Sequence, residues 1–162
     1  MSDMDSVVAM TGQLNPRSSW TAERCSMAKA LEVVSARSAF LIMREAFYGT
    51  TRFDDFAERV GITDAVAAAR LRELVAEGLL VREPYREPGQ RTRHEYRLTD
   101  KGADLFPVLV GLMQWGDRWL NDGGRVELRH HECGAPVGVQ VRCAEGHEVT
   151  PGELDLVSRR RR

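Results

Sequence analysis

The sequence predicts an α+β fold that is mainly helical, and two observations carry this prediction. Apolar residues recur at the 3.6-residue spacing of amphipathic helices over most of residues 27–120. Within that stretch, β-favouring residues at 79–81 and 95–98 flank the turn sequence Glu87-Pro88-Gly89-Gln90. We therefore expect a helical domain that carries one β-hairpin.

Three helices are predicted ahead of the helix that leads into the hairpin. Apolar spacing places them from residue 27 to about 34, from 40 to 47 and from 53 to 60. Gly61-Ile62-Thr63 then forms a short turn that contains glycine, which is the connection that a helix-turn-helix requires. Residues 1–19 are mostly polar and predict a flexible N-terminal arm.

The fourth helix begins after Thr63, whose hydroxyl can accept a hydrogen bond from a free N–H group of the first turn. Ala67, Leu71 and Leu74 share one stripe at helical spacing and predict its buried side. Gly78 can adopt the left-handed conformation that ends a helix. The hairpin follows directly, and a helix joined to a basic hairpin is the layout of a winged helix-turn-helix.

The hairpin carries a local positive charge, although the whole chain has a formal net charge of −1. Residues 84–97 contain four arginines and two glutamates, an excess of 4 − 2 = +2. A local basic patch attracts DNA whatever the total charge. The sequence thus predicts double-stranded DNA as the partner, with one helix in the major groove and the hairpin on the backbone or in the minor groove.

One further helix is predicted after the hairpin, with Thr99 as its cap and with Pro107 either kinking it or lying within its early turns. Its apolar residues, which include Leu105, Leu109, Leu112 and Trp119, share one broad face. Such a face predicts a homodimer interface, and the alternative is that it closes the protein's own core. We expect a winged-helix and dimerisation domain at 20–122 and a small β-hairpin extension with a basic tail at 123–162.

A series of short motifs runs from Cys25 to Trp119. In chain order they are Cys25 with Ala30-Leu31, Leu41-Ile42-Met43-Arg44-Glu45, Arg52-Phe53-x-x-Phe56, Gly61-Ile62-Thr63, Arg70-Leu71-Arg72-x-Leu74-x-x-x-Gly78-Leu79, Glu95-Tyr96-x-Leu98-Thr99-x-x-Gly102 and Trp115-Gly116. Their order and spacing resemble the HxlR-type transcriptional regulators, a winged-helix family related to the MarR-type regulators. The resemblance implies a homodimeric repressor or activator, often of stress or detoxification genes, without catalytic activity.

Two stretches depart from the family's pattern. The family usually has Gly-Lys-Trp ahead of its second helix, where this chain has Ala36-Arg37-Ser38, a change that affects packing. The fourth helix carries Ala65-Val66-Ala67-Ala68-Ala69 where the family has larger or polar residues. Because alanine offers a base edge only apolar contact, specificity must come from one or two arginines, the hairpin and DNA shape.

The candidate DNA-binding residues lie on the fourth helix and on the hairpin. For the two helix arginines the alternatives are solvent exposure or an ion pair with Glu73 or Glu77. The hairpin arginines are candidates for phosphate or minor-groove contacts, and the alternative is an ordinary solvated tip. The predicted set is Thr63, Ala65, Ala69, Arg70, Arg72, Arg86, Arg91 and Arg93.

Cys25 precedes the first helix and, in the resemblance, matches a cysteine that some family members use to sense oxidants or electrophiles. A reactive thiolate requires partial exposure and a nearby helix N-terminus or cation. Arg24 can supply the cation, and a helix that begins at Ser26 can supply the N-terminus. The alternative is a small apolar plug at the helix start. An oxidant or a small molecule is therefore a candidate effector.

The C-terminal extension contains two Cys/His pairs, His130 with Cys133 and Cys143 with His147. Two thiolates and two imidazoles can complete a tetrahedral zinc site. Gly146 stands where a strong Cys-x-x-Cys pair would place its second thiolate. The alternative is a plain β-hairpin that packs on the dimer or forms a flap that faces a ligand. Zinc is the one cofactor that the sequence suggests.

Other classes of function find little support in the sequence. It has no nucleophile motif, no phosphate-binding glycine loop and no evident pair of catalytic carboxylates, so no enzyme is expected. Acidic residues near the N-terminus and an apolar run of only 106–113 predict a cytoplasmic protein without a membrane partner. The alternative function is a protein-interaction module on a winged-helix scaffold with weak DNA binding.

Overall fold

The computed structural model describes residues 8–10, 25–34, 36–120 and 124–158, which belong to two compact units. One unit comprises Lys29–Gly138, and the other comprises Met1–Ala28 with Val139–Arg162. This grouping differs from the division after residues 19 and 122 that the sequence suggests, and those domain boundaries stay a prediction.

The four predicted helices form in the expected order. They are α1 (Ser26–Val34), α2 (Arg37–Phe47), α3 (Phe53–Val60) and α4 (Asp64–Ala76). Gly61 ends α3 in the left-handed conformation, with φ of 69°. Thr63 then caps α4, because its hydroxyl oxygen accepts a hydrogen bond from the Val66 N–H at 3.4 Å. The turn between α3 and α4 is thus the predicted helix-turn-helix connection.

The predicted hairpin forms directly after α4. Strands β2 (Leu80–Tyr85) and β3 (Arg93–Leu98) pair antiparallel, with Leu80 opposite Leu98 and Tyr85 opposite Arg93. Its tip spans residues 86–92, and the Gln90 N–H donates to the Glu87 carbonyl at 3.0 Å. We call the segment from β2 to β3 the wing.

The core lies among α2, α3, α4 and the base of the wing. Its largest fully buried side chains are Phe56, Ile42, Met43, Leu71, Leu74 and Leu80. The Phe56 ring meets the Tyr96 ring edge to face, with 6.2 Å between centroids. Burial of Ala67, Leu71 and Leu74 confirms the predicted inner stripe of α4. The opposite face of α4 is therefore directed away from the core.

The prediction of one helix after the wing is wrong, because two helices form there. The first, α5 (Asp100–Ala103), has the predicted cap, since the Gly102 N–H donates to the Thr99 hydroxyl at 3.0 Å. The second, α6 (Phe106–Trp119), begins after a break at residues 104–105. Pro107 lies in its first turn, where the missing N–H needs no helical partner.

The rest of the described chain is mostly irregular and contains a few short β elements. Strands β1 (Ala9–Met10) and β4 (Asp155–Leu156) pair in parallel, so part of the predicted N-terminal arm is a strand. Isolated bridges join Arg129 to Pro136 and Arg142 to Glu148. The predicted basic tail at 159–162 lies outside the described residues. None of the helices described here has the length and apolarity needed to cross a membrane.

Candidate nucleic-acid interface

The outer face of α4 carries small side chains and two arginines that contact their own helix. Ala65 is exposed and Ala69 is half-buried. Arg70 forms an ion pair with Glu73, the alternative that the sequence left open for it. Arg72 is exposed, and its Nε donates to the Ala68 carbonyl at 3.2 Å. A DNA contact by either arginine therefore requires the side chain to leave an intrahelical partner.

The tip of the wing and the start of β3 present three exposed arginines, Arg86, Arg91 and Arg93. The Nε of Arg86 donates to the Gln90 carbonyl at 3.2 Å, a contact that holds this side chain across the tip. Arg97, near the end of β3, pairs with Glu83 at 3.3 Å and with Glu95 at 2.7 Å. The net positive charge of the wing is thus concentrated at its tip and at the start of β3.

A groove of about 400 Å³ between the start of α3 and the wing contains basic residues, of which Arg93 was in the predicted set and the others were not. Its basic lining residues are Arg52, Arg82, Arg93 and His94, against the single carboxylate of Asp54. The Arg52 guanidinium lies 3.2 Å from the centre of the Tyr85 ring, a cation–π contact that fixes this side chain against β2. The groove therefore presents mainly cationic groups.

Arg82 also lines a second groove of about 480 Å³, between α4 and the wing. Arg72 enters this groove from the helix, so Arg72 and Arg82 face one concavity from two elements. In the β2–β3 register Arg82 lies opposite the buried Tyr96, and its Nη2 is 3.0 Å from Nδ1 of His94. Counting alternate residues from the buried Leu80 would have placed Arg82 on the helix side of the wing.

The two remaining predicted sites are only partly described by the structure. Cys25 is half-buried immediately ahead of α1, whereas Arg24 lies outside the described residues.

In the first Cys/His pair, Nδ1 of His130 is 3.3 Å from Sγ of Cys133. In the second, the Cys143 N–H donates to the His147 carbonyl at 3.0 Å, a backbone contact. Within the described ranges, no group of three or more His, Cys, Asp or Glu residues could hold a metal ion. The zinc site stays a prediction.

The known proteins that this chain resembles are helix-turn-helix regulators. The family described as HxlR-like helix-turn-helix matches residues 33–123. The uncharacterized HTH-type transcriptional regulator Rv3095 of Mycobacterium tuberculosis is 45% identical over 128 residues, covering 77% of this chain and 80% of the relative. The corresponding regulator YvaP of Bacillus subtilis is 34% identical over 57% of this chain and 85% of the relative.

Solved structures share the fold as well as the sequence. The transcription factor PA1607 superposes with a TM-score of 0.76 at 38% identity, covering 85% of this chain and 96% of that chain. The redox regulator HypR in its oxidized form superposes with a TM-score of 0.53 at 28% identity, covering 58% of this chain and 96% of that chain. The chain belongs to the HxlR-like helix-turn-helix family and is a transcriptional regulator, not an enzyme.

Proposed function

We propose that this regulator binds an inverted-repeat site in duplex DNA as a homodimer, with α4 in the major groove and the wing on the backbone or in the minor groove. The groove between α4 and the wing carries the proposal, because Arg72 and Arg82 line it from the two elements that would flank a DNA strand. A DNA strand that entered this groove would present its phosphates to Arg82 on the wing and a base edge to Arg72 on the helix.

The two elements have different roles in this proposal. The exposed wing arginines Arg86, Arg91 and Arg93 bind phosphates or enter the minor groove, contacts that add affinity on any sequence. Arg72 leaves the Ala68 carbonyl and reads a base edge. Thr63, Ala65, Ala69 and Arg70 complete the face that approaches DNA, where alanine offers apolar contact to thymine methyl groups.

The homodimer is supported by the outer face of α6. Large apolar residues are exposed there, although monomeric proteins rarely leave such a patch uncovered. They are Phe106, Val108, Leu112, Trp115 and Trp119. Leu105 and Leu109, by contrast, pack against the core, which is the alternative role that the sequence left open for this segment. A two-fold dimer would place two half-sites about 34–36 Å apart.

Selection of bound sequences from random duplex DNA by the purified protein tests the proposal. We expect an enriched inverted repeat, a footprint with two-fold symmetry and a dimer in light scattering. A footprint without that symmetry, or a monomer at micromolar concentration, would contradict the proposal. DNA retention compared with partner capture from the same lysate separates it from the protein-interaction module.

Cys25 supports a proposal of redox control, in line with the similarity to the redox regulator HypR. Cys25 is half-buried immediately ahead of α1, so its thiol is partly accessible to an oxidant. Mild oxidant should change operator binding by the wild type and leave Cys25→Ser unaffected. An equal response of both proteins would exclude Cys25 and direct attention to Cys133 and Cys143.

Zinc binding by the C-terminal extension is a separate proposal, supported by the contact between His130 and Cys133. After dialysis against zinc, the metal content per chain should be close to one for the wild type and close to zero for Cys133→Ser with Cys143→Ser. Equal zinc content of the two proteins would reject this ligand set.

A further inference from the structure

An apolar cavity of about 230 Å³ lies between α2 and α6. Phe40 and Phe47 of α2 face Leu109 and Met113 of α6 across it, and Leu128 from the segment after α6 adds to its lining. An apolar protein cavity of about 150 Å³ holds benzene. This cavity is therefore large enough for a two-ring aromatic molecule.

Leu128 contributes to the lining because its segment is held beside α6. The Val137 N–H donates to the Leu128 carbonyl at 2.8 Å, and the Gln114 side chain of α6 donates to the Val137 carbonyl at 2.8 Å. The segment 128–137 therefore contributes a wall of the cavity, which is the place of the ligand-facing flap that the sequence left as an alternative.

Among the described residues that line the cavity, only Arg44 and Tyr48 have polar side chains. Nε and Nη2 of Arg44 donate to Oε1 of Glu45, at 3.2 and 2.7 Å. The guanidinium has further N–H donors on Nη1 and Nη2, so it can bind a second anion. Within the part of the chain that the structure describes, the partner of the Tyr48 hydroxyl is the Met113 sulfur, at a long distance of 3.9 Å. The polar rim thus offers a cation and a hydroxyl beside an apolar interior.

We propose that this cavity binds an aromatic carboxylic acid, with the rings in the apolar part and the carboxylate on Arg44 beside the Tyr48 hydroxyl. The positive charge of Arg44 selects an acid over a neutral arene of the same shape. A second copy of the chain has other apolar residues to cover, since Val108, Trp115 and Trp119 are exposed on α6 without lining the cavity.

A chain of polar contacts connects this cavity to the helix-turn-helix. The Glu45 side chain is buried, and its Oε2 accepts a hydrogen bond from the Thr50 hydroxyl at 3.3 Å. Thr50 is also buried and accepts a hydrogen bond from Nη1 of Arg59, on α3, at 2.8 Å. A carboxylate on the remaining donors of Arg44 shares the guanidinium charge with Glu45, which weakens that ion pair and alters the contact between the buried Glu45 carboxylate and Thr50.

Control of DNA binding follows from this contact chain, and this half of the inference rests on the proposed function. When DNA and the acid each bind the two arrangements of Glu45 and Thr50 with different affinity, the acid changes the DNA affinity by some factor, and DNA changes the affinity for the acid by that same factor.

Calorimetric titration of the full chain with 2-naphthoate and with neutral 2-naphthamide tests the ligand site without DNA. We expect one naphthoate per chain and at least tenfold weaker binding of the amide. Arg44→Met should remove the preference for the acid, and Arg44→Lys should retain part of it. Equal affinity of the two probes for the wild type, absence of naphthoate binding at millimolar concentration, or a full preference in Arg44→Met would overturn the site.

A matched pair of tryptophan substitutions tests the location. Leu112 lines the cavity and is 54% exposed, whereas Val108 is 52% exposed on the same helix and does not line it. Leu112→Trp should weaken naphthoate binding at least tenfold, and Val108→Trp should leave it unchanged. If Val108→Trp abolishes binding as well, or if Leu112→Trp has no effect, the cavity is not the binding site.

Thr50→Val tests the connection to DNA binding. Fluorescence anisotropy with the selected duplex should show at least a fivefold change in wild-type affinity on addition of naphthoate. Thr50→Val should still bind naphthoate in the calorimeter and lose that change. A full response in Thr50→Val, or no response in a wild type that binds both, would overturn the connection. If the wild type binds no DNA, the proposed function fails, while calorimetry still decides the ligand site.

Discussion

The outer face of α4 and the wing offer DNA different chemistry. On α4, Ala65 is exposed, Ala69 is half-buried, and both arginines contact their own helix, Arg70 through Glu73 and Arg72 through the Ala68 carbonyl. On the wing, Arg91 and Arg93 are exposed at the tip and at the start of β3. A positive side chain that is already paired must exchange one partner for another, so the wing gains more from phosphate contact than α4 does.

The comparison indicates how affinity and specificity are divided in the proposed complex. Wing contacts to phosphates strengthen binding to every sequence and weaken with salt. The few polar groups on α4 limit direct readout, since each good bidentate base contact gives about 1–3 kcal/mol of discrimination. We therefore expect a regulator with appreciable general DNA affinity and modest sequence preference.

The substitution with the largest expected effect lies at the base of the wing. Gly102 of α5 lies so close to the residue before β2 that a Cβ there would meet the Leu79 carbonyl oxygen at 2.1 Å. Gly102→Ala should lower the free energy of unfolding by about 3 kcal/mol, the upper part of the usual overpacking range, as measured by urea denaturation. Gly111→Ala in α6 is the control, because its Cβ would have no atom within 4 Å and alanine favours the helix. Equal stability of the two variants would contradict this close packing.

Removal of the exposed wing charges should have the next largest effect. Arg91→Ala with Arg93→Ala should weaken binding to selected and random DNA alike, by roughly tenfold per lost phosphate contact near 0.1 M salt. The slope of log affinity against log salt should fall by about one unit per contact in anisotropy titrations. Arg97→Ala serves as the control, since Arg97 is already paired with Glu83 and Glu95. A slope that falls equally in the control would argue against a special role of the tip.

Arg72→Ala should affect only the preferred site. Loss of one base contact should weaken binding to the selected duplex by about 1–3 kcal/mol and leave random DNA nearly unchanged. Competition between the two duplexes measures the ratio directly. A proportional loss on both would assign Arg72 to the phosphate backbone with the wing arginines.

Arg70→Ala should give the smallest change. Because Arg70 is paired with Glu73 on the surface of α4, its removal should alter the free energy of unfolding by about 0.5 kcal/mol or less. DNA affinity should change less than in Arg72→Ala under the same conditions. A larger loss of DNA binding for Arg70→Ala would reverse the roles given to the two helix arginines.

Local chemistry made most of the winged unit predictable from the sequence. Thr63 as a cap, the inner stripe of α4 and the turn at residues 87–90 each depend on neighbours a few positions away. The sequence offered a kink at Pro107, whereas the structure has a full break at residues 104–105, although the apolar spacing continues across it. The break has a local cause, because Pro107 has no N–H to donate to the Ala103 carbonyl and its ring would clash with that carbonyl in a continuous helix.

The basic grooves depend on contacts between residues that are far apart in the chain. Arg52 lines the groove beside α3, where its contact with the Tyr85 ring holds it. Arg82 depends on the register that sets it opposite Tyr96. Side-chain alternation indicated Arg82 in principle, whereas the cation–π contact of Arg52 is visible only after α3 and the wing are packed together.

The alanines on the outer face of α4 also affect the entropy of complex formation. An arginine or glutamine ordered at an interface loses rotamer freedom, at about 0.5–1.5 kcal/mol for each immobilised side chain. Alanine has no rotamers to lose. In the proposed complex, the exposed Ala65 and half-buried Ala69 therefore enter the major groove already in their bound conformation. The alanines make weak contacts with bases, but they lose no side-chain entropy on binding. The arginines of the wing bear that entropy loss instead.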